Sequence, residues 1–267
     1  MESRLTVLLT NDDGFYAPGI KFLQDVLKKE FNVIVAAPEF DQSGVGHLFT
    51  YTKPLHYEKC TNENGVEGYV ICGSPADCIK FAISYLLPQK PDLIISGINY
   101  GDNSGINAFY SGTVGGAREG AFWNIPSFSF SVCDGSIKYC EEYASLIPQI
   151  VRKILSSNKK INSTKENVFY NINFPPCKLE EVNGIRVTRQ SMAFFDDRYE
   201  KIVVESHRTG EGYMVVGEKK DIEKTNEFDS SALRNNYITV TPLTIDATAQ
   251  SAISQLRWLE DEDFLKR

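Results

Sequence analysis

The chain has 267 residues, 42% of them hydrophobic and 24% charged, which is ordinary for a soluble globular protein with a large core. The net charge of −7 argues against nonspecific binding along nucleic acid or an anionic membrane, although a local metal could still draw in a small anionic substrate. None of the six cysteines form a Cys-x-x-Cys pair, and neither a signal peptide nor a transmembrane-length apolar run is present. Reduced thiols and a cytoplasmic location are the expectation, and the glycosylation sequon Asn162-Ser163-Thr164 then carries no meaning.

Residues 5–9 are a short apolar run that predicts a buried strand, followed at once by Thr10-Asn11-Asp12-Asp13-Gly14. Two adjacent carboxylates at a strand end repel and resist burial unless something neutralises them. Asp-Gly is also a common turn dipeptide, so the stretch reads either as a polar turn or as a site for a hard divalent cation. Helical spacing from 18 to 29, a second strand over 31–37 and a polar Gly-containing loop follow. Extended segments are expected at 51–57 and 68–72, on either side of Asn62-Glu63-Asn64-Gly65. Ser74-Pro75-Ala76-Asp77 predicts a helix start, with Ser as N-cap, Pro at the first position and an acid at the third. Strands are expected at 92–96, 127–132 and 168–174, and helices at 113–123 and 139–155. This alternation implies an α/β fold: a parallel sheet with helices on both faces and its special loops gathered at one edge.

Beyond residue 175 the pattern changes. Residues 184–189 and 194–216 predict long antiparallel strands turning at Gly210-Glu211-Gly212, then a strand at 237–243 and a closing helix at 247–259 capped by Asp246. The expected organisation is a single domain: an α/β core over 1–175, with a β-hairpin arm and a returning C-terminal segment over 176–267. A long hairpin cannot bury both faces by itself, and a second subunit is the expected cover, with an ordinary intrachain β-extension as the alternative.

There is no P-loop, no nucleophile elbow, no dinucleotide fingerprint and no zinc-binding helix. What remains is a set of oxygen donors on three strand-end loops: Asn11, Asp12 and Asp13; Ser43 between Asp41 and His47; and Asn99 in the run from Ser96 to Gly105. Two carboxylates, a hydroxyl and an amide suit Mg²⁺ or Mn²⁺ better than zinc. Ser111-Gly112-Thr113 opens a helix with free N–H groups and hydroxyls; this is either a plain cap or a phosphate seat.

Taken in order, the blocks Thr10 to Gly14, Ser43-Gly44, Gly73 to Cys78, Ser96 to Gly101, Tyr110 to Gly115, Gly184 to Gln190 and Val240 to Leu243 resemble the survival protein SurE family of metal-dependent 5′-nucleotidases. The resemblance implies a Rossmann-like three-layer fold with a C-terminal extension exchanged between subunits of a homodimer or homotetramer. It implies one divalent cation per subunit on Asp12, Asp13, Ser43 and Asn99, and a phosphate pocket over Ser111, Gly112 and Thr113. Two departures stand out: Asn107 where the family often has Asp, and Glu227-Phe228 in place of Gly-Thr before Asp229.

The expected activity is hydrolysis of nucleoside 5′-monophosphates, extending to 3′-monophosphates and short polyphosphate. Asp12 would touch the metal and take the proton of the attacking water, and Asn99, Ser111, Gly112 and Thr113 would act with it. A nucleotide- or metal-binding regulatory module without turnover is the rival expectation. His47 reads either as a phosphate contact or as a surface loop residue.

Overall fold

The computed structural model describes residues 4–62, 65–133, 137–157, 167–203 and 210–260. The sequon and part of the turn at 62–65 therefore lie outside the described residues. The elements in chain order are β1 (Thr6–Thr10), α1 (Pro18–Leu27), β2 (Asn32–Pro38), β3 (Tyr57–Thr61), β4 (Glu67–Ile71), α2 (Pro75–Phe81), β5 (Leu93–Tyr100), α3 (Asn107–Tyr110), α4 (Gly112–Phe122), β6 (Ser127–Val132), α5 (Cys140–Ser157) and β7 (Val168–Phe174). They continue with β8 (Ile185–Val187), β9 (Phe194–Phe195), β10 (Arg198–Val203), β11 (Glu211–Val216), β12 (Lys219–Lys220), α6 (Asp229–Arg234), β13 (Ile238–Thr244) and α7 (Gln250–Leu256).

Nine strands form one sheet in the order β3-β4-β2-β1-β5-β6-β7-β13-β8. The run from β4 to β7 is parallel, while β3 pairs antiparallel with β4 and β13 pairs antiparallel with β7. Strand alternation sorts the core into two faces. Val7, Leu9, Val35 and Ile95 pack with Ile20 and Leu23 of α1 and Tyr143 and Ile147 of α5. Leu8, Ala36 and Ile94 face the other way, against Cys78 and Ile79 of α2. Each fully buried Val, Leu or Ile among them contributes about 1.5–3 kcal/mol relative to exposure. On the second face β6 presents Ser127, Ser129 and Ser131, all fully buried, to a helix rich in glycine. An added Cβ at Gly120 of α4 would lie 2.1 Å from the Ser127 hydroxyl, so small residues on both partners set this close packing.

The capping box at α2 forms as the sequence predicts. Ser74 Oγ accepts from the Asp77 N–H at 3.1 Å, and Asp77 Oδ2 accepts from the Ser74 N–H at 2.9 Å. The chain then makes one π-helical turn, Ala82–Leu86.

Four expectations need correction. The first strand of the small hairpin is Tyr57–Thr61 rather than 51–57; the Asn62 side chain fixes its turn by accepting from the Val66 N–H and donating to Phe15 O. Residues 185–187 form no part of a long antiparallel hairpin: β8 is the sheet's edge strand, parallel to β13. The nine-stranded sheet thus draws two strands from beyond residue 175. In the arm, Glu211 already pairs with Val203, so Gly210-Glu211-Gly212 opens the second strand instead of forming the tip, and 204–209 lies outside the described residues. The closing helix starts after Ala249, because Asp246 spends its carboxylate on the Thr248 N–H in a local turn.

The arm proper, β10 paired with β11, is exposed along its length. Tyr199, Val203, Tyr213, Met214 and Val215 are all at least half exposed.

Candidate active site

Strands β2, β1 and β5 are adjacent and parallel, so the loops after them meet at one sheet edge. The chain moves outward from β1 to β2 and later returns to β5 on the other side of β1, which makes the gap after β1 and β5 a topological switch point where ligands bind in such sheets. A cavity of about 510 Å³ opens there, and Asp12, Ser43, Asn99 and Ser111 all line it. Four residues separated by up to 99 positions are thereby brought together.

Asp12 is almost fully buried and is held from the start of α4. The Thr113 N–H donates to Oδ2 at 3.0 Å and the Thr113 hydroxyl donates to Oδ1. Burial pushes the Asp12 carboxyl up, and these Thr113 bonds oppose the rise. Thr113 is therefore a positioning residue for Asp12, and the expectation that it donates to a phosphoryl oxygen needs correction: both its donors are already engaged. Gly112 allows the approach, since a Cβ there would sit 2.9 Å from Asp12 Cβ and 3.1 Å from Oδ2.

Asp13 does not itself line the cavity, but its carboxyl feels Asp12 and Asp41. Burial first, then those two charges, push it up to about 7 against the Tyr100 backbone N–H. Its Oδ2 is buried with no hydrogen-bond partner, as is Asn11 Oδ1. Asn11 donates its amide to Gly14 O at 2.9 Å and closes the turn. Asn99 donates Nδ2 to Gly101 O at 2.6 Å, which leaves its amide oxygen as the available ligand atom. Among the described residues, no three His, Cys, Asp or Glu side chains converge in a metal cluster. The available donors are two desolvated carboxylates, of which Asp13 has an orphaned oxygen, together with an amide oxygen and a hydroxyl. That chemistry fits a hard divalent cation, which would supply the charge the two acids lack.

At α4, Ser111 is the N-cap, and its Oγ accepts from the Val114 N–H at 3.0 Å. Accepting leaves the hydroxyl proton free to be donated. With Thr113 N–H given to Asp12 and Val114 N–H to Ser111, the Gly112 N–H is the one left over in the first turn. The cap and phosphate-seat readings of this segment are compatible: one atom caps while its proton and a neighbouring N–H remain free.

The Ser43 loop is seated on the same helix. The Gly46 N–H donates to Tyr110 O at 2.7 Å, and a Cβ on Gly115 would lie 2.3 Å from Gly46 O, so the two backbones touch. His47 turns away from the cavity. Its Nε2 lies 2.9 Å from Glu119 Oε2, and its ring stacks on Phe122 at 5.0 Å. Asn107 does line the cavity, although its amide nitrogen points to Asp102 O at 3.4 Å.

Several residues here escape sequence reasoning. Asp41 opens the Ser43 loop, and its carboxylate adds a third charge near Asp12 and Asp13. Tyr110, Phe194, Phe195 and Asp197 complete the cavity wall. The signal for the last three was a Phe-Phe pair in a segment read only as an arm.

The family model described as Survival protein SurE matches residues 7–197. The chain belongs to the SurE family. It is 38% identical to the protein named 5′-nucleotidase SurE from Flavobacterium psychrophilum, covering 95% of this chain and 97% of that relative. It is 37% identical to the protein of the same name from Aquifex aeolicus, covering 96% and 98%. The crystal structure of the SurE protein from Aquifex aeolicus superposes with a TM-score of 0.78 at 36% identity, over 96% of this chain and all of that one. The likeness extends past residue 197, through the elements that return β13 and β8 to the sheet. Among the described residues, no helix is long and apolar enough to cross a membrane.

Proposed function

We propose that this chain is a 5′-nucleotidase that hydrolyses nucleoside 5′-monophosphates to nucleoside and phosphate, with one divalent cation held by Asp12, Asp13, Ser43 and Asn99. The observation that carries the reading is the buried Asp12 carboxylate locked against the first turn of α4, beside a free hydroxyl proton on Ser111 and a free N–H on Gly112. SurE relatives named 5′-nucleotidase, matched over nearly the whole chain, support the same substrate class.

A bound Mg²⁺ or Mn²⁺ supplies Lewis-acid polarisation of a phosphoryl oxygen and a more acidic water. The chain's own residues do the rest. Thr113 fixes the Asp12 carboxylate, which burial has made more basic and which takes the proton of the attacking water. The Ser111 hydroxyl and Gly112 N–H donate to phosphoryl oxygens where negative charge builds, at a helix N-terminus that favours it. The same seat would also receive the phosphoryl group of 3′-monophosphates. The exposed apolar hairpin supports a homodimer or homotetramer built through the arm.

Phosphate release from AMP and GMP, with EDTA and then with added Mn²⁺ or Mg²⁺, tests this reading. Turnover that appears only with metal is expected. Tight nucleotide binding with no phosphate release under any metal would replace the enzyme with a regulatory binding module.

A further inference from the structure

The cavity has two chemically different ends. One holds Asp12, Ser43, Asn99 and Ser111, all oxygen donors or acceptors suited to a cation and a phosphoryl group. The other is walled by Phe194, Phe195 and Asp197 at the base of the arm. We infer that Phe195 is the surface on which the base of a nucleoside monophosphate stacks. This rests on the reading of the site as one for nucleoside monophosphates.

The first observation is an exposed ring on a fixed segment. Phe195 is 41% exposed, yet the backbone around it is pinned to the loop that follows β5. Ile106 N–H donates to Ala193 O at 2.8 Å, and Gln190 Nε2 donates to Gly105 O at 2.8 Å. Asp196 N–H donates to Glu218 O at 3.0 Å, which holds the β9–β12 pair together. An apolar ring held rigid but left uncovered is a preorganised contact surface, because its ordering cost is met by folding.

The second observation concerns direction. Phe195 pairs directly with Lys219, so their side chains share one face of the ribbon. Lys219 reaches back to the Asp102 carboxylate and, at 2.7 Å, to Ser104 Oγ. Asp102 lines the cavity, and so does Phe195 itself, so the ribbon is anchored beside the cavity with this ring in its wall.

The third observation is charge. Lys219 is neutralised by Asp102, while Asp197, which also lines the cavity, has no ion-pair partner among the described residues. This end therefore repels a second phosphate and welcomes a neutral, flat group. Aromatic rings at such a site stack on any base, because every base has a π-face. The ligand is thus oriented with its phosphate at Asp12 and its base at Phe195.

The full chain loaded with Mn²⁺ is assayed on AMP, GMP and ribose 5-phosphate, which carries the same phosphate and sugar without a base. In Phe195→Ala the preference in kcat/KM for AMP over ribose 5-phosphate is expected to fall on the order of 10- to 100-fold, mostly through KM, while Phe195→Tyr restores it. Calorimetric binding of AMP and ribose 5-phosphate to both proteins reads the same ratio independently of turnover. If wild-type protein releases no phosphate from either compound, the hydrolase reading falls and the calorimetric ratio alone decides the stacking. An unchanged AMP preference in Phe195→Ala overturns the inference. So does an equal loss on both substrates, or a base-dependent loss that appears in Tyr110→Ala but not in Phe195→Ala.

Discussion

The switch-point cavity and the arm are mismatched with their surroundings in opposite senses. At the cavity, Asp12 is buried, and Asp13 just behind it is half-buried with one carboxylate oxygen that has no hydrogen-bond partner among the described residues. In the arm, a hairpin of two six-residue strands displays apolar side chains to solvent. A buried unpaired charge costs several kcal/mol, and an isolated two-stranded hairpin is marginal at best. On the proposed reading each region is completed from outside the single chain, the first by a cation and the second by another subunit. Stability in the metal-free protein is thus expected to be lowest at the very place where chemistry is expected.

The largest effect should come from breaking the cavity side. Asp13→Asn should lower kcat/KM by on the order of 100-fold, about 3 kcal/mol of transition-state stabilisation. The same variant should leave the metal-free fold intact or firmer. Asp13 sits at about 7, above its ordinary value, so in EDTA the wild type should lose stability as pH rises from about 4 through about 7. Thermal melts across that range should show the loss in wild type and a flatter profile in the variant. Near-wild-type activity at limiting metal would remove Asp13 from the site.

On the other side of the comparison, residues 199–215 can be replaced by a short Gly/Ser turn that spares Phe195 and Asp197. Light scattering should then report a monomer with a lower melting temperature and the same metal affinity. A dimer or tetramer persisting at micromolar concentration would move the subunit contact to the sheet.

A smaller contrast lies within α4. Ser111→Ala should cost about tenfold in kcat and about 1 kcal/mol of stability, since it removes both a donor and an N-cap, with little change in metal affinity. Thr113→Val should instead weaken metal binding, because it releases Asp12 Oδ1 and leaves only the backbone N–H to hold the carboxylate. Calorimetric titration with Mn²⁺ distinguishes the two, and equal metal affinities would contradict the assigned duties.

The smallest effect concerns Glu119. Burial raises its carboxyl, but His47, Lys80 and Trp123 together outweigh burial and hold it below the ordinary carboxylate value. A depressed acid contributes stability above its unfolded value of about 4.3 and loses it as pH falls through the folded one. The wild-type melting temperature should therefore drop more steeply below about pH 4 than that of Glu119→Gln. Parallel profiles would assign the cluster no net role.

Local chemistry was legible in the sequence. The first strand, expected over residues 5–9 and found at Thr6–Thr10, the acid pair after it and the Ser74–Asp77 capping box each depend on neighbours within a few positions. The misread features depend on distant partners. Nothing near Thr113 says that its hydroxyl belongs to a carboxylate 101 residues earlier. Nothing near Ile185 says that it will pair with Ile238. Gly210 has the positive φ of a turn residue and drew the hairpin tip toward itself, but register with β10 is decided by pairing across the ribbon. Phe194 and Phe195 alternate like arm residues and become cavity wall only because Lys219 and the loop after β5 hold them there.

The contact between Gly46 and Gly115 has a kinetic meaning. With no side chain between the two backbones, the Ser43 loop and the helix bearing Ser111 have no room to slide past one another. They form a jaw whose gape is set when the chain folds. On the proposed reading, phosphate-sized anions would be sorted by a fixed aperture, and capture on this side of the cavity would proceed without waiting for a loop to shut.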